Sequence, residues 1–491
     1  MPSSLPAFRR EAEQGFFFQA FKGFIKQTYL LSADKFVCKF CSAASLPFWF
    51  TSFQHIQIIR RAGGEKTALF QGAARLSYLS VKNFGKLYPP RELPNVRGVD
   101  YNRLNTDSGG IQMKKFLSLI LCLAMLFSLC LTFAEASDAV TVTDMIGREI
   151  EITPAGYERV VCIGAGALRM YSYVGDTALL CGVEDIDNET LEQRPKMFDG
   201  VARPYMLAYG NVFSQLPSCG VGGPNAQSAE AEKILSCNPD IVISEYEDVE
   251  KADALQEQLG VPVITLSTGK DAVFDEAFFG SMRLLGTVFG KEERAEEIVS
   301  FVESERDEIS ARTAAIKEED KPAVYICGLG NWGTTNHLMT AMNFCSFKVA
   351  NVRNVCTDLA APAIQPIEEE KFAALGDDMD IMIIDAAAVK NIKPLYAEDN
   401  AMFDTCKAWN NGEVYLQLAY NAYYTNYETV LCNTWFIAKT VYPELFEDID
   451  MTEKTNEVTK LFLGSELADE IFARPASFGG YGKIDTETFF N

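Results

Sequence analysis

Histidine is nearly absent from this sequence of 491 residues, which holds only two, His55 and His337. Histidine is the side chain most often used as a general acid or base near neutral pH. Two histidines this far apart form no H-x-x-x-H or H-E-x-x-H metal motif, and no Ser/His/Asp set stands out. The scarcity argues against a hydrolase and against a histidine-based metalloenzyme.

Positive charge is also scarce. The 44 lysines and arginines are outnumbered by 67 aspartates and glutamates, which gives a formal net charge of −23. Residues 1–112 reverse this balance with 15 basic and 7 acidic side chains, whereas residues 113–491 hold 29 and 60. Nucleic-acid binding needs clustered Lys and Arg, so nucleic acid is excluded as the main partner. Two stretches of opposite charge are not expected to form one folding unit.

A secretory signal peptide is predicted at residues 113–136. Met113 and two lysines precede 18 uncharged residues, 116–133, and Ala134 and Ala136 follow as an A-x-A cleavage site. We expect cleavage after Ala136 and export to the periplasm or to the outer face of the cytoplasmic membrane. The alternative is a membrane span over 116–133, because about 20 apolar residues cross a bilayer.

The position of this signal also predicts the status of the residues before it. Signal peptides act at an N-terminus, whereas this one begins at residue 113. We therefore expect residues 1–112 to be spurious upstream translation or a disordered leader. The expected mature chain, residues 137–491, carries 27 basic and 59 acidic side chains.

Cysteine usage points to buried thiols rather than to a disulfide framework. The expected mature chain has nine cysteines, an odd number, and none of them form a C-x-x-C pair. Cys130, inside the signal peptide, is a candidate lipid-attachment site. Leu129 before it fits poorly with the small residue that such sites prefer, so lipidation is the less favoured alternative.

The sequence pattern of the mature chain predicts an α/β protein. A predicted hairpin turns at Gly147, and short apolar runs then alternate with helical stretches, which indicates parallel sheets covered by helices. Residues 275–320 break the alternation with an amphipathic pattern, which predicts one long helix. We expect an N-terminal lobe over 137–274, an interlobe helix over 275–320 and a C-terminal lobe over 321–491.

Several motifs together resemble one known family. The stretches that carry the resemblance are Thr141–Gly147, Glu158–Val161, Ser236–Ile243 and Leu259–Val263. With the long helix, they resemble the ABC-transporter substrate-binding proteins of the iron-siderophore/cobalamin class, over about residues 140–465. The resemblance implies a class III periplasmic-binding fold with an interlobe cleft, little hinge motion and delivery of ligand to a membrane permease. It leaves the ligand open among ferric siderophores, haem, cobalamin and some oxyanions.

The resemblance also implies where the permease docks. In the family an acidic residue on each lobe meets basic permease residues, and Glu232 and Glu370 match by position. Each lies at the start of a predicted helix before a buried strand. The alternative is simple charge complementarity, because an acid is favourable at any helix N-terminus.

Ligand-binding candidates in the N-terminal lobe lie in loops after strands, where α/β sheets bind ligands. Arg169 follows the first strand through Gly164 and Gly166, and could pair with a carboxylate or phosphate. Tyr205 and Tyr209 belong to a predicted long loop that could face the cleft. The alternative for Arg169 is an exposed arginine at a helix start.

The C-terminal lobe offers a glycine-rich loop, Gly328–Gly333, after its first strand. It spells G-x-G-x-x-G, but no helix opens at once and no acid lies about 20 residues on, which disfavours a nucleotide site. As a cleft loop it offers Trp332 as an aromatic platform, and Asn336 and His337 as polar contacts. His337 is also the candidate metal ligand, although a hydrogen-bonded loop histidine is the commoner case.

A tyrosine-rich segment follows a later strand of the same lobe. Tyr420, Tyr423 and Tyr424 are candidates for stacking on a ligand or, as phenolates, for ferric coordination. The alternative is ordinary packing at a helix start.

The predicted function is therefore an exported, monomeric receptor that binds a small metal chelate (an iron-siderophore, haem or cobalamin) for an ABC permease. No cofactor is predicted besides the ligand. One alternative is an oxyanion or free-metal receptor on the same fold. An alternative of another class is a metal-handling enzyme such as a chelatase.

Overall fold

The computed structural model describes residues 139–223, 228–330 and 336–490, and three short strands before residue 81. Those strands, Ile56–Arg60, Lys66–Phe70 and Tyr78–Ser80, form an antiparallel sheet in a unit that ends at Phe116. The prediction that residues 1–112 lie outside the working protein stays a prediction. The signal peptide with Ala134 and Ala136, the candidate lipid site Cys130, and Trp332 lie outside the described residues.

The first lobe is built on a parallel sheet of five strands. Its central strand, Val160–Ile163, is buried at every position, as expected for a continuous apolar run in a sheet covered on both faces. In spatial order the strands are Val263–Thr265, Ile241–Ser244, Val160–Ile163, Leu180–Glu184 and Ser218–Gly220. The predicted hairpin, Val140–Thr143 with Glu149–Ile152, forms a separate two-stranded sheet.

The second lobe repeats this plan. Its spatial strand order is Arg353–Asn354, Ala323–Cys327, Ile381–Asp385, Val414–Gln417 and Gly482–Lys483. The first four strands are parallel, and the last pairs antiparallel at the edge. A further two-stranded sheet pairs Met339–Thr340 with Gln365–Pro366. Two parallel-type sheets in α/β lobes confirm the predicted fold class.

The segment between the lobes differs from the prediction of one helix over 275–320. It holds two packed helices, Glu276–Phe289 and Glu292–Thr313. Gly290 ends the first in the left-handed conformation, with φ +62°, and a glycine here avoids the steric cost that other residues carry. The second helix, with 22 residues, is the long amphipathic helix that the apolar pattern predicts.

The remaining helices cover the sheets. They are Ala167–Val174, Pro204–Phe213, Ala231–Ser236, Val249–Leu259, Cys345–Val349, Glu369–Leu375, Val389–Glu398, Lys407–Asn410, Tyr427–Val441, Met451–Leu463 and Ala468–Phe472. Met451–Leu463 lies within the C-terminal half of the chain but packs on Pro204–Phe213 and Ala167–Val174 of the first lobe. One apolar core accordingly runs through both lobes, from Val160 to Ile326 and Val430. Within the described ranges, no helix is both long and apolar enough to cross a membrane.

Candidate ligand-binding cleft

The cleft lies where the strand order of each sheet reverses. In the first lobe, Val160–Ile163 and Ile241–Ser244 are neighbours whose connections leave in opposite directions. In the second lobe, Ala323–Cys327 and Ile381–Asp385 have the same relationship. Loops after strands separate at such points and leave a crevice, which is where open α/β sheets bind ligands.

The cavity between these loops has a volume of about 1060 Å³. First-lobe lining residues include Ala165 and Glu245, which follow the two switch-point strands. Second-lobe lining residues include Gly330 and Lys390, which follow the corresponding pair. The cleft is therefore built from equivalent loops of the two lobes.

Several aromatic side chains line the cleft, and the three predicted second-lobe tyrosines are among them. Tyr420, Tyr423 and Tyr424 all line the cavity, with Phe198 and Phe344 beside them. Tyr424 is the most open of the three tyrosines, with 43% of its surface exposed, whereas Tyr420 and Tyr423 are largely buried. Burial raises the pKa of all three hydroxyls, which opposes the phenolate form that ferric coordination would need.

Basic side chains gather at the cleft in a chain that is otherwise strongly acidic. Lys270 of the first lobe and Lys348 and Lys390 of the second line the cavity and are exposed. Lys348 reaches across to Asp271, with Nζ 2.7 Å from its carboxylate. Three lysines against the lining acids Glu245 and Asp271 give a locally positive cleft, which suits an anionic ligand.

Sequence reasoning missed these lysines because a lone surface lysine is usually uninformative. A signal was present for two of them: Lys270 and Lys390 each lie about five residues after a switch-point or neighbouring strand. Lys348 lies on the short helix Cys345–Val349, and its position gave no comparable signal.

Glu245 is the carboxylate placed deepest in the lining. It directly follows strand Ile241–Ser244 and hydrogen bonds with Thr268. Burial and the nearby Glu247 raise its pKa well above the usual range, and Arg169 opposes this shift. A carboxyl group kept neutral can donate a hydrogen bond to a ligand oxygen.

Arg169 lies at the lobe boundary, yet it points away from the cleft lining. It is 1% exposed, and its guanidinium donates to the main-chain carbonyls of Ala422, Tyr423 and Thr425 at 2.6, 3.1 and 2.5 Å. The structure therefore contradicts the expectation that Arg169 contacts a ligand anion, because the side chain is buried and its Nη1 and Nη2 groups donate to the opposite lobe. The alternative of an exposed helix-start arginine is wrong as well.

The two first-lobe tyrosines lie in helix Pro204–Phe213 rather than in a loop. The ring of Tyr205 is buried under the Arg169 guanidinium, 4.7 Å from it. The hydroxyl of Tyr209 donates to the carbonyl of Leu463, at 2.8 Å, where helix Met451–Leu463 packs on the first lobe. Neither residue lines the cavity. Because both tyrosines lie in this helix, neither of them forms part of the predicted ligand-binding surface.

His337 lies in the second-lobe core instead of the cleft. Its ring packs edge-on against Phe372 and Phe403, with centroid distances of 5.0 and 5.7 Å. Burial lowers its pKa to about 4. Asn336 is occupied locally, because its side-chain oxygen accepts from the Leu338 amide at 3.0 Å. The predicted contacts of Asn336 and His337 with ligand are thus not formed by this geometry.

The two docking candidates occupy equivalent exposed positions. Glu232 lies in the first turn of helix Ala231–Ser236 and Glu370 in the first turn of Glu369–Leu375. Each helix leads into a switch-point strand of its lobe. This arrangement is compatible with both the docking role and the helix-charge alternative.

No group of three or more His, Cys, Asp or Glu side chains that could hold a metal ion lies within the described ranges. The nine cysteines of residues 137–491 are all buried and are free thiols. Burial raises the pKa of every thiol, which disfavours metal binding by thiolate.

Comparison with known proteins supports the same architecture. A family model described as periplasmic binding protein matches residues 160–419, or 260 of the 491 residues. The molybdate-binding protein MolA of Haemophilus influenzae is 20% identical over 377 residues, which cover 70% of this chain and 96% of MolA. The resemblance predicted from the motifs is confirmed.

Two solved structures share the fold. MolA bound to molybdate has a TM-score of 0.52 at 17% identity, with 66% of this chain and 98% of that chain covered. A periplasmic solute binding protein from Veillonella parvula DSM 2008 also has a TM-score of 0.52, at 18% identity, with coverage of 69% and 96%. At these identities the similarity establishes the fold alone.

Proposed function

The chain belongs to the periplasmic binding protein family, as the substrate-binding protein of an ABC transporter, and we propose that its cleft binds a metal chelate that carries anionic groups. The candidates are an iron-siderophore, haem or a cobalamin-type ligand, each delivered to a membrane permease. The observation that carries the proposal is a cleft of about 1060 Å³ that combines tyrosine rings with three lysines.

The size of the cleft favours a ligand much larger than a simple ion. Binding sites for drug-sized molecules occupy roughly 300–1,000 Å³, and the volume of this cavity lies just above that range. A tetrahedral oxyanion would fill only a small part of it. MolA, which shares the fold, is described as molybdate-binding, so an oxyanion receptor is the second candidate.

The lining supports a ligand with apolar rings and anionic arms. Tyr424 offers an exposed ring, and Lys270 and Lys348 offer charge from opposite walls of the cleft. Aromatic residues provide large apolar contact area, and lysine pairs with carboxylates or catecholate oxygens as a compact charge. Arg169 was expected from the sequence to provide the positive charge that pairs with the ligand. In the proposed complex these lysines provide it instead.

Export, signal cleavage after Ala136 and a monomeric state belong to the same proposal. Periplasmic binding proteins act outside the cytoplasm, where a receptor for imported chelates must work. A chelatase stays the alternative of another class, and metal insertion into a tetrapyrrole by the purified protein would favour it. The relatives named above are described as binding proteins.

Calorimetric titration of the purified protein tests the proposal. The panel consists of a ferric tris-catecholate, a ferric hydroxamate, haemin, cyanocobalamin and sodium molybdate. We expect one chelate to bind with a 1:1 stoichiometry and a micromolar or lower Kd, and molybdate not to bind. Binding of molybdate alone would establish the oxyanion receptor instead.

A further inference from the structure

The cleft tyrosines lie in an unusual turn. Tyr423 and Tyr424 have φ values of +53° and +69°, so two consecutive non-glycine residues adopt the left-handed region. Bulky side chains rarely adopt this conformation, and it persists only where surrounding contacts over-determine it. The turn, residues 421–425, is closed by a bridge between Asn421 and Thr425 and by the Ala422 amide, which donates to the Tyr424 carbonyl at 2.9 Å.

Further contacts that hold this turn come from the opposite lobe. Glu184 accepts a hydrogen bond of 2.7 Å from the Tyr423 hydroxyl, and Thr268 donates one of 2.9 Å to the Tyr424 hydroxyl. Arg169 acts on the main chain instead, through its three hydrogen bonds to carbonyls of the turn. Main-chain contacts constrain φ and ψ directly, whereas the hydroxyl contacts constrain only the ring ends.

Arg169 is itself held in place by other side chains of the first lobe. The Tyr205 ring lies under its guanidinium, and the Tyr205 hydroxyl donates to Asp187 at 2.6 Å. Arg203 donates to the same Asp187 oxygen at 2.7 Å. The planar fork of an arginine can serve several carbonyls at once, and a lysine ammonium in its place cannot reproduce that geometry.

We propose that Arg169 is a positioning residue: it holds the turn 421–425 of the second lobe in the left-handed conformation that presents Tyr423 and Tyr424 to the cleft. Its effect on ligand affinity rests on the proposed function of the cleft. Its effect on the turn does not. A first-lobe side chain thereby shapes a second-lobe binding surface that it does not itself line.

The test compares Arg169→Lys with Arg148→Lys in the full chain. Arg148 is a matched control because it is another buried first-lobe arginine, and its bonds go to Asp144, Asp253 and Val263 of its own lobe. Hydrogen exchange followed by mass spectrometry reads the peptides that cover residues 418–427. This readout needs no ligand.

Exchange in the turn should be roughly tenfold faster in Arg169→Lys than in the wild type, because local opening becomes easier. Arg148→Lys should leave these peptides unchanged. Unchanged exchange in Arg169→Lys, or equal acceleration in both variants, overturns the proposal. If Arg169→Lys does not fold, Tyr205→Leu replaces it, because loss of the ring under the guanidinium should accelerate the same peptides.

Ligand affinity supplies the second readout, with haemin and a ferric tris-catecholate as probes. We expect Arg169→Lys to weaken whichever probe the wild type binds by roughly tenfold, and Arg148→Lys to leave its Kd unchanged. An unchanged Kd in Arg169→Lys contradicts the positioning of the binding surface. If the wild type binds neither probe, the proposed function is contradicted for these ligands, while the exchange result still decides the role of Arg169.

Discussion

Glu184 at the end of a first-lobe strand and Tyr423 in the second lobe share a hydrogen bond of 2.7 Å that is buried at the lobe boundary. The same carboxylate oxygen accepts from the Gly164 amide at 3.2 Å. Burial raises the pKa of Glu184 to about 7, and these two hydrogen bonds only partly oppose that shift. The Glu184 carboxyl group in this contact therefore gains or loses its proton near neutral pH.

The raised pKa of Glu184 makes stability depend on pH. Between the ordinary glutamate pKa, about 4.3, and about 7, the folded state holds a proton that the unfolded state releases. Its stabilising contribution is full below pH 4.3 and is lost as the pH rises to 7. Glu184→Gln lacks this dependence, so its free energy of unfolding relative to wild type should rise by up to about 3 kcal/mol from pH 5 to pH 8.

Urea unfolding at pH 5, 6, 7 and 8 checks the Glu184 prediction. Other buried carboxyls, such as Asp385, also have raised pKa values, so the quantity to compare is the difference between variant and wild type. Glu250→Gln, an exposed substitution on helix Val249–Leu259, is the control and should show no such trend. A difference for Glu184→Gln that stays constant with pH would refute the assignment.

The cleft lysines should determine affinity for an anionic ligand. Lys270→Gln and Lys348→Gln remove charge from the two walls, and each should weaken binding of an anionic chelate by roughly fivefold at low salt. Lys251→Gln, on an exposed helix outside the cleft, is the matched control. Titration at two salt concentrations is the measurement, since screening should reduce the loss. If Lys270→Gln and Lys348→Gln bind the chelate as tightly as Lys251→Gln and the wild type do, these two cleft lysines do not contribute to ligand recognition.

His337 should matter for folding and not for ligand binding. Replacement of His337 by Gln should leave the Kd for a chelate within about twofold, because the ring packs among Phe372 and Phe403 outside the cleft. Burial lowers the pKa of His337 to about 4, against about 6.5 in an unfolded chain. Its contribution is therefore full above pH 6.5 and is lost as the pH falls toward 4.

Thermal unfolding and titration of the His337→Gln variant separate these two roles. The wild type should lose stability between pH 6.5 and 5 by more than the variant does. A large loss of affinity without loss of stability would instead restore His337 as a ligand of the bound metal.

The acidic residues Glu232 and Glu370 are proposed to dock the permease. Their charge reversal to lysine should reduce transport by roughly tenfold or more in the double variant, while ligand affinity stays unchanged. Glu250→Lys, also exposed in the first turn of a helix, is the control. Uptake of labelled chelate by cells with the cognate permease is the measurement. Normal transport by the double variant would favour the helix-charge alternative.

Most helices and strands could be predicted because the sequence patterns that specify them lie within the elements themselves. The alternation of short apolar runs with helical stretches predicted α/β lobes with parallel sheets, and both lobes have them. Within the interlobe segment the apolar pattern continues across Gly290, so the break between its two helices was missed. The tyrosines of the cleft were found because they follow a strand end, where α/β sheets bind ligands.

The role of Arg169 could not be predicted, because its partners lie more than 250 residues away in the chain. A sequence places an arginine near a strand end, but only the packed lobes show that the carbonyls of Ala422 and Tyr423 take its donors. Tyr205 was misplaced for a related reason: its segment forms a helix that begins at Pro204, and its ring turns into the core.

Native mass spectrometry of the purified protein, incubated with equal amounts of a ferric tris-catecholate, a ferric hydroxamate, haemin, cyanocobalamin and molybdate, tests the central claim most directly. The account predicts one adduct per chain with the mass of a metal chelate, and the loss of most of that adduct in the Lys270→Gln, Lys348→Gln double variant. A molybdate adduct without any chelate adduct, or no adduct at all, would contradict it.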